Sequence, residues 1–190
     1  MECCPATAGH HNFAFCILHF ELLVMRILIT GGAGFIGAWV AQALHERGDE
    51  AVIVDDFSTT IYDGRLKEER VRVLAPNARV VRGDVVDVDW LARVGGETKP
   101  DVILHLAAIA GIRYAQTDPF AVIRANITGT VSVFEAAKRI GVRRIVYASS
   151  SSVYGRNPKL PFHEDDSVLL PALVMACTCM PVERPCVMSY

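Results

Sequence analysis

The central part of this sequence contains no cysteine and no methionine. All six cysteines fall within the first 16 or the last 14 residues, and no methionine occurs from Arg26 to Leu173. This distribution divides the chain into a head (1–24), a body (25–171) and a tail (172–190). Because a body without cysteine is typical of a reducing compartment, we expect a cytoplasmic protein.

Other absences exclude further classes of protein. The net charge is −2 and there is no basic run, so we expect no binding to nucleic acid. No apolar stretch reaches the roughly 20 residues that a membrane-spanning helix needs, so we expect no membrane partner. The head has no lysine or arginine, which argues against a secretory signal peptide. Its histidines and cysteines match no recognised zinc spacing, so we expect no metal site.

The body alternates short apolar runs with longer amphipathic segments. The pattern predicts strands at 26–30, 51–54, 78–82, 101–105 and 144–148, and helices at 35–47, 62–74, 87–94 and 120–140. Strands separated by helices at this interval predict an α/β fold with a doubly wound parallel sheet of about five strands, an incomplete Rossmann domain. The pattern stops after Pro171, so we expect the tail to be irregular.

A glycine-rich turn (31–37) joins the first predicted strand to the first predicted helix. Its glycines match the G-x-x-G-x-x-G spacing, in which one forms the turn, one admits a pyrophosphate and one lets helix and strand pack closely. The free N–H groups and the positive end of the helix dipole would then face the phosphates. The predicted cofactor-binding residues of this turn are Gly31, Gly34, Phe35, Ile36 and Gly37.

Carboxylates follow the second and third predicted strands. Asp55 comes where a carboxylate accepts both hydroxyls of an adenine ribose and repels a 2′-phosphate, and no arginine stands beside it. The sequence therefore favours NAD over NADP. Asp56 is a second candidate, with a solvated turn residue as the alternative. Asp84 and Val85 follow the third strand, where a carboxylate can hold the adenine amino group, and a turn or capping role for Asp84 is the alternative.

These motifs resemble the N-terminal half of an extended short-chain dehydrogenase/reductase of the NAD-dependent nucleotide-sugar epimerase/dehydratase family. The matching segments are 25–37, 55–56, 83–84, 105–108, 126–130 and 147–155. The resemblance implies a loop beside the nicotinamide that runs from Leu106 to Ala110 and includes Ala107 and Ala108. It also implies that Asn126 contacts the cofactor. The head precedes the usual start of the family and is predicted to be an extension, and His105 is interpreted as a packed core histidine.

Within the family, the serine run favours an epimerase. The resemblance implies that Ser150 holds the sugar 4-hydroxyl and is catalytic. Dehydratases of the family carry acidic residues where this chain has Ser151 and Ser152, and water elimination needs such an acid and base. Arg113 lies in a stretch that resembles glucuronate-type 4-epimerases and is suited to pair with a substrate carboxylate. The alternatives are a galactose-type enzyme, a surface role for Arg113 and a capping role for the serines.

The proton-transfer pair of the family is missing. The resemblance implies a Tyr-x-x-x-Lys pair soon after Pro171, but the last lysine is Lys159 and the only later tyrosine is Tyr190. This departure coincides with the change of composition at Ala172, which predicts a frame shift or an alternative transcript and an inactive product. The complete family member would take a UDP-sugar. A homodimer is possible in the family but not expected for this fragment.

Two other functions stay open at this point. One is a non-enzymatic fragment that binds NAD or a partner. The other is a different NAD-dependent sugar dehydratase or reductase of the same family.

Overall fold

The structure is a computed structural model that describes residues 24–150, 154, 158–163 and 165–166. The predictions made for the head before residue 24, for the tail, and for Ser151 and Ser152 lie outside the described residues. Within the described part of the chain, no helix has the length and apolar character needed to cross a membrane.

Five parallel strands form one sheet in the order β3-β2-β1-β4-β5. They are β1 (Arg26–Thr30), β2 (Glu50–Asp55), β3 (Arg79–Arg82), β4 (Val102–His105) and β5 (Ile145–Tyr147). The predicted α/β class with a parallel sheet is thereby confirmed. Each predicted strand is present, β1 with the predicted bounds and the other four with ends shifted by one residue. The chain first builds outward on one side of β1 and then returns to build from its other side. The topological switch point, where open α/β sheets bind ligands, therefore lies between β1 and β4.

Helices cover both faces of the sheet. They are α1 (Phe35–Arg47), α2 (Gly64–Leu74), α3 (Val88–Thr98), α4 (Ile112–Thr117), α5 (Pro119–Val122) and α6 (Gly129–Ile140), with a π helix (Ile123–Thr128) between α5 and α6. Local chemistry sets several of their ends. Asp63 and Asp87 accept backbone N–H groups at the starts of α2 and α3. Gly48 ends α1 in the left-handed region, with φ of 90°.

The segment predicted as one helix at 120–140 differs from the prediction. Asp118 caps a new helix start and Pro119 occupies its first turn, so α5 begins there. The π helix then interrupts the regular α-helical spacing before α6 begins. The short helix α4 was not predicted, because six residues are too few to display a helical period.

The core has one apolar cluster on each face of the sheet. Since successive side chains of a strand point to opposite faces, Leu28 packs toward α3 and α6, whereas Ile27 and Ile29 pack toward α1 and α2. Strands buried on both faces read as continuous apolar runs, which explains why the sequence pattern located them. This packing fixes the carboxyl ends of four strands, and hence the loops that follow them, at one edge of the molecule.

We expect Leu28→Ala to lower the free energy of unfolding by about 2–5 kcal/mol, because it leaves a cavity in the middle of the sheet. Leu28 is 1% exposed, and Leu66, at 50% exposed, offers a control with the same chemistry. Urea unfolding of Leu66→Ala should give a change within about 0.5 kcal/mol. Equal losses in the two variants would contradict the described core.

Candidate functional site

The loops at the carboxyl edge of the sheet enclose a cleft of about 270 Å³. A larger groove of about 620 Å³ lies at the opposite edge, where Arg26, Glu50 and Arg79 begin the first three strands. Ligands of open α/β sheets bind outside the carboxyl ends of the strands. We therefore take the smaller cleft as the candidate site.

Nine of the residues predicted from the sequence line this cleft. They are Gly31, Gly34, Asp55, Asp56, Asp84, Val85, Leu106, Ala107 and Ala108. They come from the loops after four different strands, which the parallel sheet brings together. Ile109, which belongs to the predicted nicotinamide loop, also lines the cleft, as do Tyr62, Lys67 and Arg124, which the sequence did not predict.

The glycine turn packs against neighbouring backbone so closely that side chains are excluded at two positions. Gly31 has φ of 69°, and a Cβ atom on it would lie 2.7 Å from the backbone nitrogen of Ala107. A Cβ atom on Gly37 would lie 2.6 Å from the carbonyl oxygen of Gly31. The N–H of Gly31 donates to the carbonyl of Val54 at 2.8 Å. The turn is thus fixed between β2 on one side and the loop after β4 on the other.

The N-terminus of α1 offers free donors to an anion. Its cap residue is Gly34, which has no side chain to accept a hydrogen bond from the helix, and the first turn contains no acidic residue. In α2 and α3, by contrast, Asp63 and Asp87 occupy that position. The first N–H groups of a helix have no partner within it, and the dipole adds positive potential there. The side chains of Phe35 and Ile36 are exposed, so these residues would contribute through their backbone N–H groups.

The carboxylate of Asp55 joins three segments at the edge of the cleft. Its Oδ2 accepts the N–H of Ala33 in the glycine turn at 3.2 Å, and its Oδ1 accepts the N–H of Phe57 at 2.8 Å. The ammonium group of Lys67 donates to the same Oδ1 at 2.9 Å and lies 3.4 Å from Oδ1 of Asp56. The Asp55 side chain is only 3% exposed. It therefore anchors the turn to β2 and to α2.

Lys67 remains charged in this position. Burial lowers the pKa of its ammonium group, but the hydrogen bond and the charge of Asp55 outweigh burial, so the pKa lies above its ordinary value. This lysine, 12 residues further along the chain than Asp55, was not predicted from the sequence. Because α2 runs back across the sheet, its first turn lies over the carboxyl end of β2. A cationic residue in the first turn of the helix that follows β2 is the sequence feature that could have predicted this ion pair.

Asp84 is engaged in a turn and in an ion pair. Its Oδ1 accepts the N–H of Val86 at 3.0 Å, and its Oδ2 lies 2.8 Å from the guanidinium of Arg124. The structure thus shows the turn role that the sequence left open as an alternative. The binding of an adenine amino group by Asp84 stays a prediction. Arg124 belongs to the π helix and lines the cleft together with Asp84.

Asn126 lies behind the cleft, where it holds the loop after β4. Its Oδ1 accepts the N–H of Ile109 at 2.8 Å, and its Nδ2 donates to the carbonyl of the same residue at 3.1 Å. Asn126 is buried, and the π helix aims its side chain at this loop. Direct contact between Asn126 and a cofactor stays a prediction, and the observed contact is with the protein backbone.

The predicted substrate residues that the structure describes are not gathered in the cleft. Arg113 is exposed on α4, and Ser150 is half-buried after the end of β5. Neither of these two described residues is among those that line the cleft. Their roles toward a sugar stay predictions.

Comparisons with known proteins agree with this geometry. A family model described as "NAD dependent epimerase/dehydratase family" matches residues 27–172. UDP-glucuronate 4-epimerase 4 of Arabidopsis thaliana is 41% identical over 156 residues, which cover 81% of this chain and 36% of that protein. The chain spans between 36% and 48% of the length of the first curated relatives it matches.

Solved structures show the same arrangement of strands and helices. UDP-glucose-4-epimerase from Stenotrophomonas maltophila, with bound NAD and formylated UDP-arabinopyranose, is similar with a TM-score of 0.76 and 30% identity. The similarity covers 84% of this chain and 47% of that one. UDP-glucose 4-epimerase from Thermus thermophilus in complex with NAD is similar with a TM-score of 0.74 and 28% identity, over 84% of this chain and 49% of that one.

His105, buried behind the cleft, is expected to make stability depend on pH. Burial lowers the pKa of its imidazole from 6.5 to about 4. Between these values the unfolded chain binds the proton and the folded chain does not, so stability rises with pH. The contribution of this titration to the free energy of unfolding, about 3 kcal/mol, is complete above about pH 6.5 and is lost as the pH falls to about 4.

Urea unfolding at several pH values between about 4 and about 7 measures this contribution. His105→Gln should show a shallower fall in the free energy of unfolding than the wild type, because it removes this titration and leaves those of the carboxylates. Parallel curves for the two proteins would contradict the lowered pKa.

Proposed function

Because the chain belongs to the NAD dependent epimerase/dehydratase family, we propose that it binds NAD in the cleft at the carboxyl edge of its sheet. The observation that carries this proposal is the N-terminus of α1, which has no side-chain cap, begins within the glycine-rich turn and shares one cleft with the carboxylate of Asp55. Donors for a pyrophosphate and an acceptor for ribose hydroxyls are the groups that a dinucleotide requires.

The residues present fit this cofactor along the whole cleft. The N–H groups of the first turn of α1 would hold the pyrophosphate, and Asp55 would accept the adenine ribose hydroxyls. Lys67 keeps that carboxylate in place by its ion pair. Asp84 and Val85 would flank the adenine, and the loop that contains Ala107 would flank the nicotinamide.

We further propose that this chain corresponds to the cofactor half of a UDP-sugar 4-epimerase, with UDP-glucuronate favoured. The similarity to a UDP-glucuronate 4-epimerase supports the reaction class. Bound NAD would supply the oxidant for transient oxidation at C4 of the sugar and the hydride that returns to its other face. Ser150 would hold the 4-hydroxyl. The sequence contains no Tyr-x-x-x-Lys pair for proton transfer, so we propose that this chain binds the cofactor without turnover.

Titration of the chain with NADH, followed by nicotinamide fluorescence, tests the cofactor proposal. Asp55→Asn should weaken binding about 10- to 100-fold, because hydrogen bonds to a charged acceptor contribute about 1.5–3 kcal/mol. NADPH should bind more weakly than NADH to the wild type, since the carboxylate repels a 2′-phosphate.

Asp87→Asn makes the same chemical change at the cap of α3, outside the cleft, and should leave NADH affinity unchanged. Unfolding curves of both variants should accompany the titration. Wild-type affinity in a folded Asp55→Asn variant would overturn the assignment of the ribose site.

Incubation of the chain with NAD and UDP-glucuronate tests the second proposal. We expect no UDP-galacturonate by chromatography and no NADH absorbance, even where NADH binding is measured. Epimer formation by this chain alone would show that another group transfers the proton and would contradict the predicted need for the missing pair.

A further inference from the structure

A chain of buried hydrogen bonds connects the elements that surround the cleft. Thr30 ends β1, His105 ends β4, and Thr130 lies in the first turn of α6. Oγ1 of Thr30 lies 2.6 Å from Nδ1 of His105, and Nε2 of His105 lies 3.0 Å from Oγ1 of Thr130. The three residues are at most 7% exposed. This chain of hydrogen bonds continues to Asn126 of the π helix at one end and to Ala107 of the cleft loop at the other.

The contacts determine which atom carries each hydrogen. The hydroxyl of Thr130 lies 2.6 Å from the carbonyl oxygen of Asn126, which can only accept, so the single hydroxyl hydrogen of Thr130 points there. The contact between Thr130 and Nε2 of His105 then requires the ring to donate. His105 therefore carries its hydrogen on Nε2.

The hydrogens on the Thr30 side of His105 are assigned in the same way. A neutral imidazole has one N–H, so Nδ1 of His105 is an acceptor. The hydroxyl of Thr30 must donate to it, and the lone pairs of that oxygen are left to accept the N–H of Ala107 at 3.4 Å. Each hydrogen in this chain of hydrogen bonds has one acceptor, and the neutral ring agrees with the lowered pKa of His105.

We propose that His105, fixed as its neutral Nε2–H tautomer, is a positioning residue that holds the cleft loop in the conformation that receives the cofactor. Through Thr30 it fixes Ala107, whose backbone nitrogen would lie only 2.7 Å from a Cβ atom on Gly31. Through Thr130 it fixes the π helix, from which Asn126 holds both backbone groups of Ile109. Both Ala107 and Ile109 line the cleft.

This arrangement explains why hydrogen-bonded polar side chains are buried at a position where apolar packing would suffice for stability. A loop that is ordered before binding does not lose conformational freedom when the ligand arrives, so pre-organisation raises affinity. The inference rests on the proposed binding of NAD. His105 itself lies behind the loop with both ring nitrogens engaged, so it acts through Thr30 and Thr130 and not on a ligand.

Nitrogen-15 NMR of the histidine rings tests the hydrogen assignment without any cofactor. His105→Gln identifies the His105 signals among the six histidines of the chain. We expect a neutral ring with its hydrogen on Nε2 near pH 7. A protonated ring or a hydrogen on Nδ1 would overturn the proposal, whatever the outcome of NADH titration.

Shape-matched threonine variants test the positioning role. Thr30→Val removes the hydroxyl and keeps the shape, whereas Thr30→Ser keeps the hydroxyl. We expect Thr30→Val to weaken NADH binding about 5- to 10-fold and Thr30→Ser to restore most of the affinity. Amide hydrogen exchange should accelerate at Ala107 and its neighbours in Thr30→Val, as followed by mass spectrometry of the peptide that contains them.

Thr98→Val is the matched control. Thr98 is also buried, and its hydroxyl donates to the carbonyl of Val94 at 2.8 Å within α3, outside the cleft. This variant should lose a comparable amount of stability but keep the NADH affinity of the wild type. Equal effects of Thr98→Val and Thr30→Val on affinity would reduce His105 to a structural role and overturn the proposal. Absence of NADH binding by the wild type, with the Nε2–H tautomer observed, would instead refute the proposed function.

Discussion

The carboxylate of Asp55 is the contact on which the rest of the site depends. It accepts hydrogen bonds from the glycine turn and from the residue two positions further along its own loop, and it pairs with Lys67 of α2. A buried carboxylate is costly unless such donors surround it, so the turn, the end of β2 and the start of α2 must assemble together. Asp55 also lines the cleft together with Gly31 and Gly34, so the residue that we propose as the ribose acceptor is at the same time the structural anchor of the turn.

The parallel sheet explains how residues far apart in sequence meet at that anchor. All five strands point the same way, so the loops after β1, β2, β3 and β4 reach one edge. The order of the strands places β1 beside β4, and this lets Gly31 approach Ala107. The buried chain through His105 crosses the same junction. The two sides of the switch point are therefore joined both by close backbone packing and by hydrogen bonds.

The sequence predicted the sheet well because strands buried on both faces appear as uninterrupted apolar runs. Glycine spacing located the turn, and the resemblance to the NAD-dependent nucleotide-sugar epimerase/dehydratase family, with NAD as its cofactor, is confirmed by the family match. Local patterns failed where a contact depends on how helices lie across the sheet. Lys67 reaches Asp55 only because α2 runs back over β2, and the π helix that directs Asn126 inward has no distinct apolar period. The hydrogen bonds of His105 likewise form only because β1, β4 and α6 meet in the fold.

We propose that the carboxyl edge of the sheet, and not the larger groove at its other edge, receives a dinucleotide. Hydrogen exchange with and without saturating NAD, followed by mass spectrometry, tests this most directly. We predict slower exchange in peptides that cover 31–38, 55–57 and 106–109, with no change around Arg26, Glu50 and Arg79. Protection confined to the peptides around those three residues, or no protection anywhere in the chain, would contradict it.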